Sequence, residues 1–193
     1  MRSISIDHRE RLEGIVRDSP WFMQALRAAR DLDFPSWCIG AGAVRNLVWD
    51  HLHGYSTASY LSDIDLAYFD QNETSGRERY HQDRIKLVCP DLPWEVTNQA
   101  HVHLWFESHF GHSVRPLRDL NEAVASWPEF ATSVGISIDH HGVLEVLAPL
   151  GLDDLFAMRI RRNPARVSIE TFRSRIASKQ YTVRWPSVVV VED

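Results

Sequence analysis

The chain has 193 residues, enough for one domain with a sizeable core, and its 44% apolar and 24% charged residues are ordinary for a globular protein. A formal charge of −5 argues against general duplex DNA binding, and no apolar run reaches the roughly 18 residues that a membrane helix needs. The start, MRSISIDHRERLEG, lacks the basic-then-apolar order of a secretory signal, so a cytoplasmic protein without a membrane partner is expected.

Residues 9–32 repeat apolar positions at helical spacing, broken at Ser19-Pro20. They predict two short helices, the second with Ser19 as N-cap and Pro20 at its first position. Residues 37–39 read as a short buried strand ended by Gly40, and residues 43–52 as a helix with Val44, Leu47, Val48 and Leu52 on one face. A polar loop over 54–62 is followed by a strand at 64–69, a helix at 76–87 and a strand at 94–97. The histidine- and aromatic-rich segment 100–110 is ambiguous, whereas 120–125 looks helical. Residues 134–139 and 143–147 form a hairpin signal around His140-His141-Gly142. Helical patterns start at 153 and 164, with Asp153 and Asp154 in a first helical turn, where their charge suits the dipole. The β-branched stretch 188–191 has the composition to extend a sheet edge, this chain's own or a partner's. Helices and strands are interspersed, which predicts an α/β or α+β domain.

Three groups of residues attract a chemical reading and keep a bland one. Cys38 and Cys89 lie far apart without CxxC spacing, so they support neither a zinc site nor a disulfide framework. His101, His103, His109 and His112 lack a cysteine partner and consistent spacing, and are expected to be satisfied or exposed side chains. Segment 159–179 carries Arg159, Arg161, Arg162, Arg166, Arg173, Arg175 and Lys179 against Glu170 alone, in an otherwise acidic chain. Such a segment either meets phosphates or presents a solvated face that pairs with the acidic body.

The stretch Ser62-Asp63-Ile64-Asp65-Leu66-Ala67-Tyr68-Phe69-Asp70 places two carboxylates two residues apart in a strand, hence on one face. Two ionised carboxylates so close repel each other unless a cation neutralises them, and Mg²⁺ suits carboxylates combined with water and phosphate oxygens. The alternative is a solvent-exposed face of an edge strand. About twenty residues earlier, Ile39-Gly40-Ala41-Gly42-Ala43-Val44-Arg45-Asn46 reads as strand end, glycine turn and helix start. Unpaired N–H groups at such a start face an incoming anion, and Gly40 and Gly42 let phosphate oxygens approach. Arg45, one turn into the helix, either reaches the phosphates or pairs with an acid such as Asp50. Asn46 is a lesser candidate for the same contact.

Together these elements resemble the polymerase-β-like nucleotidyltransferase superfamily, with its strand, glycine turn, helix and Asp-x-Asp strand. GAVRN followed by DIDL is similar to the GGAVRD and DID of CCA-adding enzymes, with Ala41 in place of the first glycine and Asn46 in place of the aspartate. Phrases such as AGAVRNLVWDHLHG, NQAHVHLWF, WPEFATSVGI and APLGLDDLFAMRIRRNP resemble a smaller bacterial nucleotidyltransferase-like family of unknown function, over residues 21–164. The resemblance implies a mixed sheet flanked by helices over residues 1–163, with a basic helical extension and tail, 164–193, packed on it. It also implies a third acid on a neighbouring strand, for which Glu95 in Trp94-Glu95-Val96-Thr97 is the best candidate. Asp63, Asp65 and Glu95 are then the catalytic, metal-binding set for Mg²⁺ or Mn²⁺, with an NTP as substrate and two-metal in-line transfer as mechanism. The acceptor is left open among a small molecule, a protein and an RNA end. The smaller family's pattern has basic residues near Thr97 and His101, and this chain departs from it at both. A non-catalytic domain that binds a nucleotide or a partner is the alternative expectation.

Overall fold

The computed structural model describes residues 7–191, so the stretch read for a secretory signal begins outside them. Helices α1 (His8–Arg17) and α2 (Pro20–Arg30) form where the apolar spacing predicts, and the Asp7 side chain caps α1 by accepting from the Arg9 N–H. Ser19 stands at the N-cap of α2, but its buried hydroxyl has no partner among the described residues; Pro20, with its preset φ, begins the helix without a cap bond. Next come β1 (Trp37–Gly40), α3 (Gly42–Leu52), β2 (Ile64–Tyr68), α4 (Glu78–Val88) and β3 (Trp94–Asn98). The ambiguous histidine-rich segment is helical: a 3-10 turn over Gln99–His101 leads into α5 (Val102–Phe110), which ends at Gly111 in the left-handed conformation. The chain continues through α6 (Leu120–Ala125), the hairpin of β4 (Gly135–Ile138) and β5 (Leu144–Leu147), and α7 (Asp153–Phe156), then β6 (Arg159–Arg161), α8 (Ile169–Lys179), α9 (Tyr181–Arg184) and β7 (Val189–Val191).

Five strands form one mixed sheet in the order β3-β2-β1-β4-β5, in which only the β2–β3 pair is parallel. Ile39, Ile64, Leu66 and Tyr68 turn one face into the larger core, against Leu12, Phe22, Leu26, Val44 and Trp49 of the first three helices. Alternation sends Cys38 and Ala67 to the other face, where Leu117, Leu120, Ala123 and Val124 form a smaller cluster with Trp127 packed on it. Asp65 is two residues from Ala67 and therefore faces this thinner layer. The strand pattern thus keeps one carboxylate out of the main core.

The carboxyl-terminal elements belong to the same body. Phe172, Tyr181 and Trp185 are buried in the larger core, and the Trp185 indole donates to Asp50 at 2.7 Å. The fully buried Glu129 accepts from Arg175 at 2.7 Å and from the Thr132 hydroxyl at 2.9 Å, which ties α8 to the segment after α6. The tail does add a strand, but to β6 rather than to the main sheet, in a parallel pair. Sequence reading did not separate β6 from the basic run, because three residues, Arg-Ile-Arg, with Ile160 alone buried, carry too little pattern. Among the described residues no helix is long and apolar enough to cross a membrane.

Candidate active site

The parallel register sets Asp65 on β2 directly beside Glu95 on β3, and Asp63 stands just before β2 begins. Asp65 is half-buried, Glu95 is exposed on the edge strand, and Asp63 accepts from the Ser62 hydroxyl at 3.1 Å. Burial first, and then the charges of Asp63 and Glu95, push the Asp65 carboxyl up from 3.8 to about 7, against the opposing pull of Lys179 and Arg175. Without a further cation this carboxyl is only partly ionised near neutral pH.

All three donors are carboxylate oxygens, the chemistry of a hard ion such as Mg²⁺ or Mn²⁺. Among the described residues no three His, Cys, Asp or Glu side chains, Asp63, Asp65 and Glu95 included, come together as a group that could hold a metal ion by themselves. Mg²⁺ needs no such cage, since it is commonly held by one or two carboxylates with water and substrate phosphates. The donor set therefore fits an ion that arrives with a phosphate-bearing ligand.

Facing the acids is the start of α3. Ala41 takes φ 51° and ψ −121° at the N-cap position, and no side chain caps the first turn. That backbone region suits glycine and strains alanine. Ala41→Gly is therefore expected to stabilise the protein by about 1 kcal/mol, read as a rise of about 2–4 °C in thermal melting. The two neighbouring glycines differ. A Cβ at Gly42 would meet only the Arg45 guanidinium at 3.7 Å, so the turn is open there. Gly40 does not line the cavity: its α-carbon is covered by Trp127, and it pairs with Gly135 of β4.

Arg45 is 4% exposed, and its guanidinium donates to Asn46 Oδ1 at 2.7 Å and to the Tyr181 hydroxyl at 3.5 Å. It lies over the Tyr181 ring at 4.9 Å and beside the Trp49 and Trp185 rings, each at 5.6 Å. Its Nε has no partner, and among the described residues no carboxylate pairs with it. Asp50, weighed above as a partner, instead accepts from the Ser59 backbone, the Ser59 hydroxyl and the Trp185 indole. A buried cation without an acid partner thus borders the glycine turn.

These groups line a single cavity of about 230 Å³. Of the residues expected from sequence it gathers Gly42, Arg45, Asn46, Asp63, Asp65 and Glu95, and leaves out Gly40. It adds Arg175 and Lys179 of α8, Arg184 at the end of α9, and the polar side chains of Ser62 and Thr132. Arg175 and Lys179 are four apart and share a helix face, a signal present in the sequence that did not say which surface they meet. Arg184 donates to the Tyr60 carbonyl at 2.7 Å and so pins the 54–62 loop to the cavity rim. The basic segment divides: Arg161 and Arg175 pair with Asp154 and Glu129 of the acidic body, while Lys179 adds charge to the cavity. Thr97 lines the cavity as well; His101 does not.

The sequence profile of a nucleotidyltransferase family matches residues 27–190. The chain belongs to this nucleotidyltransferase family. A solved structure described as revealing a CCA-adding enzyme head domain is 26% identical, with 97% of each chain covered and a TM-score of 0.81. A CCA-adding enzyme in complex with CTP aligns over 97% of this chain at 13% identity and a TM-score of 0.55. The Thermotoga maritima CCA-adding enzyme complexed with tRNA aligns over 94%, at 13% identity and a TM-score of 0.54. The chain spans 44% and 42% of those two enzymes, whose likeness is one of fold. No curated protein matches the chain. The family and the head-domain fold place it in the polymerase-β-like nucleotidyltransferase superfamily.

Proposed function

We propose that the protein transfers a nucleotidyl group from an NTP to an acceptor hydroxyl in the cavity between β2, β3 and α3. The observation that carries this reading is the meeting, in one cavity, of three acids with an uncapped helix start and the unpaired cation of Arg45. The complexes of fold neighbours with CTP and ATP support an NTP as the ligand class.

The α3 start, open at Gly42, receives phosphate oxygens on its free N–H groups, where the helix dipole also favours negative charge. Arg45 is held in place by Asn46 and the aromatic rings, so it offers a cation whose orientation is set before the ligand arrives. Lys179 and Arg184 extend the positive wall, and Arg175 is kept upright by Glu129. Asp63, Asp65 and Glu95 would hold two Mg²⁺ or Mn²⁺ ions, whose charge would neutralise the transferred group and acidify the acceptor hydroxyl. Most of the rate enhancement in such a site comes from placement and charge.

Lys179→Ala is expected to weaken Mg·NTP binding about tenfold without lowering the melting temperature, because Lys179 supports no packing in the larger core. Titration calorimetry and a thermal melt on the same sample check both halves. The reaction itself is tested with an NTP labelled at its α-phosphate, Mg²⁺ and a cellular small-molecule and RNA extract. Label should move to an acceptor as pyrophosphate appears. No transfer with any of the four NTPs, alongside intact binding, would favour a non-catalytic nucleotide-binding domain.

A further inference from the structure

The cavity continues past the acids. A second cleft of about 340 Å³ shares seven residues with the first, Asp65, Glu95, Trp127 and Arg175 among them, but contains neither the α3 start nor Arg45, Lys179 or Arg184. The two spaces therefore adjoin at the carboxylates, with the α3 start lining the first alone and α5 the second alone. In the second, α5 supplies Trp105, Phe106 and Phe110. Phe106 and Phe110 lie 4.5 Å apart, and Trp105 and Phe106 are 28° from parallel. Phe110 is 52% exposed and Trp105 37% exposed, so this aromatic surface is open at the molecule's edge.

Two arginines line this cleft: Arg175, which pairs with Glu129, and Arg166. The Arg166 guanidinium lies 5.3 Å from the Phe106 ring centre and donates to the Arg115 carbonyl at 3.2 Å. Among the described residues no carboxylate lies within ion-pairing distance of it. Burial, and then the nearby Arg115 charge, lower its pKa against the weaker opposing pull of Glu122.

In-line transfer requires the acceptor oxygen to approach the α-phosphorus opposite the pyrophosphate leaving group. With the triphosphate on the α3 side, the aromatic cleft is the adjoining space that Asp65 and Glu95 also line. A volume near the lower end of small-ligand pockets, roughly 300–1,000 Å³, admits one or two rings rather than a folded nucleic acid.

We infer that this cleft binds the acceptor, a small planar aromatic compound with a hydroxyl at one end and an anionic group at the other. The inference rests on the transfer reaction proposed above. The aromatic wall stacks the ring, Arg166 takes the anionic end, and the hydroxyl points to Asp65 and Glu95. The hydroxyl oxygen bonds to the α-phosphorus while the bond from that phosphorus to the β-bridging oxygen breaks. Pyrophosphate leaves with the electron pair, the hydroxyl proton passes to water, and the product is a phosphodiester.

Ligand-observed NMR titration with 4-hydroxyphenylacetate and 5-hydroxyindole-3-acetate tests this, with p-cresol as the uncharged comparison and MgATP titrated in parallel. Both acids should saturate in the millimolar range or below and bind about tenfold more tightly than p-cresol. Arg166→Gln should remove that difference, and Phe110→Ala should weaken all three ligands. Trp105→Ala repeats the aromatic test if Phe110→Ala does not fold. Failure of both acids to saturate while MgATP binds overturns the inference alone, as does acid binding indifferent to Arg166→Gln. Tighter binding of a CCA-ended RNA hairpin, sensitive to the same variants, overturns it in favour of an RNA end. Absence of binding by MgATP and by the Mg²⁺ complexes of GTP, CTP and UTP overturns the reading beneath it.

Discussion

Asp65→Asn is expected to make the protein more stable at pH 8 while removing its activity. The Asp65 carboxyl is raised from 3.8 to about 7 in the folded chain, so folding takes up a proton. For an acid shifted upward the penalty is absent below pH 4, grows as pH rises toward 7, and is complete above it. Asparagine keeps the shape and loses the charge, which relieves repulsion from Asp63 and Glu95. The gain should be about 1–2 kcal/mol at pH 8, after allowance for solvent screening at a half-buried site, and close to zero at pH 4. Melting curves of both proteins between pH 4 and pH 8 measure it. Nucleotidyl transfer, by contrast, should fall by about three orders of magnitude, since the same charge is needed to hold a cation against the phosphates. A stability loss at pH 8 would contradict the electrostatic account of the acid cluster.

Gly40→Ala should destabilise the fold by about 3 kcal/mol, a drop of about 6–12 °C in melting temperature. A Cβ there would stand 2.5 Å from two carbons of the Trp127 ring and 2.8 Å from the Val134 carbonyl oxygen. Neither neighbour yields easily, since one is a packed indole and the other belongs to the backbone entering β4. Gly42→Ala, two residues on, meets nothing closer than 3.7 Å and should leave stability within about 0.5 kcal/mol. Its effect should fall instead on NTP affinity, because the methyl group narrows the approach to the α3 N–H groups. Thermal melts and NTP titrations of the two variants separate a packing glycine from a binding one.

That pair also marks what a sequence can and cannot convey. Gly40 and Gly42 look alike in Ile39-Gly40-Ala41-Gly42, and the difference between them is made by Trp127, which arrives from a distant segment. The order of strand, turn, helix and Asp-x-Asp strand was legible because each step is local: alternation, a glycine turn and an apolar helix face. Arg45 and Asp50 illustrate a local rule that was available and unused. Residues five apart on a helix stand about 140° around the axis from each other, so their pairing was geometrically disfavoured. Arg175, Lys179 and Arg184 reach the cavity only through the docking of α8 and α9 by Phe172, Tyr181 and Trp185, a long-range packing result. Segment 100–110 was ambiguous for a physical reason as well: α5 carries apolar residues on several faces, and Leu104, Trp105 and Phe110 are exposed, so no single buried stripe sets its period.

The most direct test of the nucleotidyl-transfer reading is calorimetric titration of the protein with ATP, GTP, CTP and UTP, with and without Mg²⁺, beside Asp65→Ala. The account predicts Mg²⁺-dependent binding of at least one NTP, weakened at least about tenfold by the substitution. Binding of none of the four, or binding indifferent to Asp65→Ala, would contradict it.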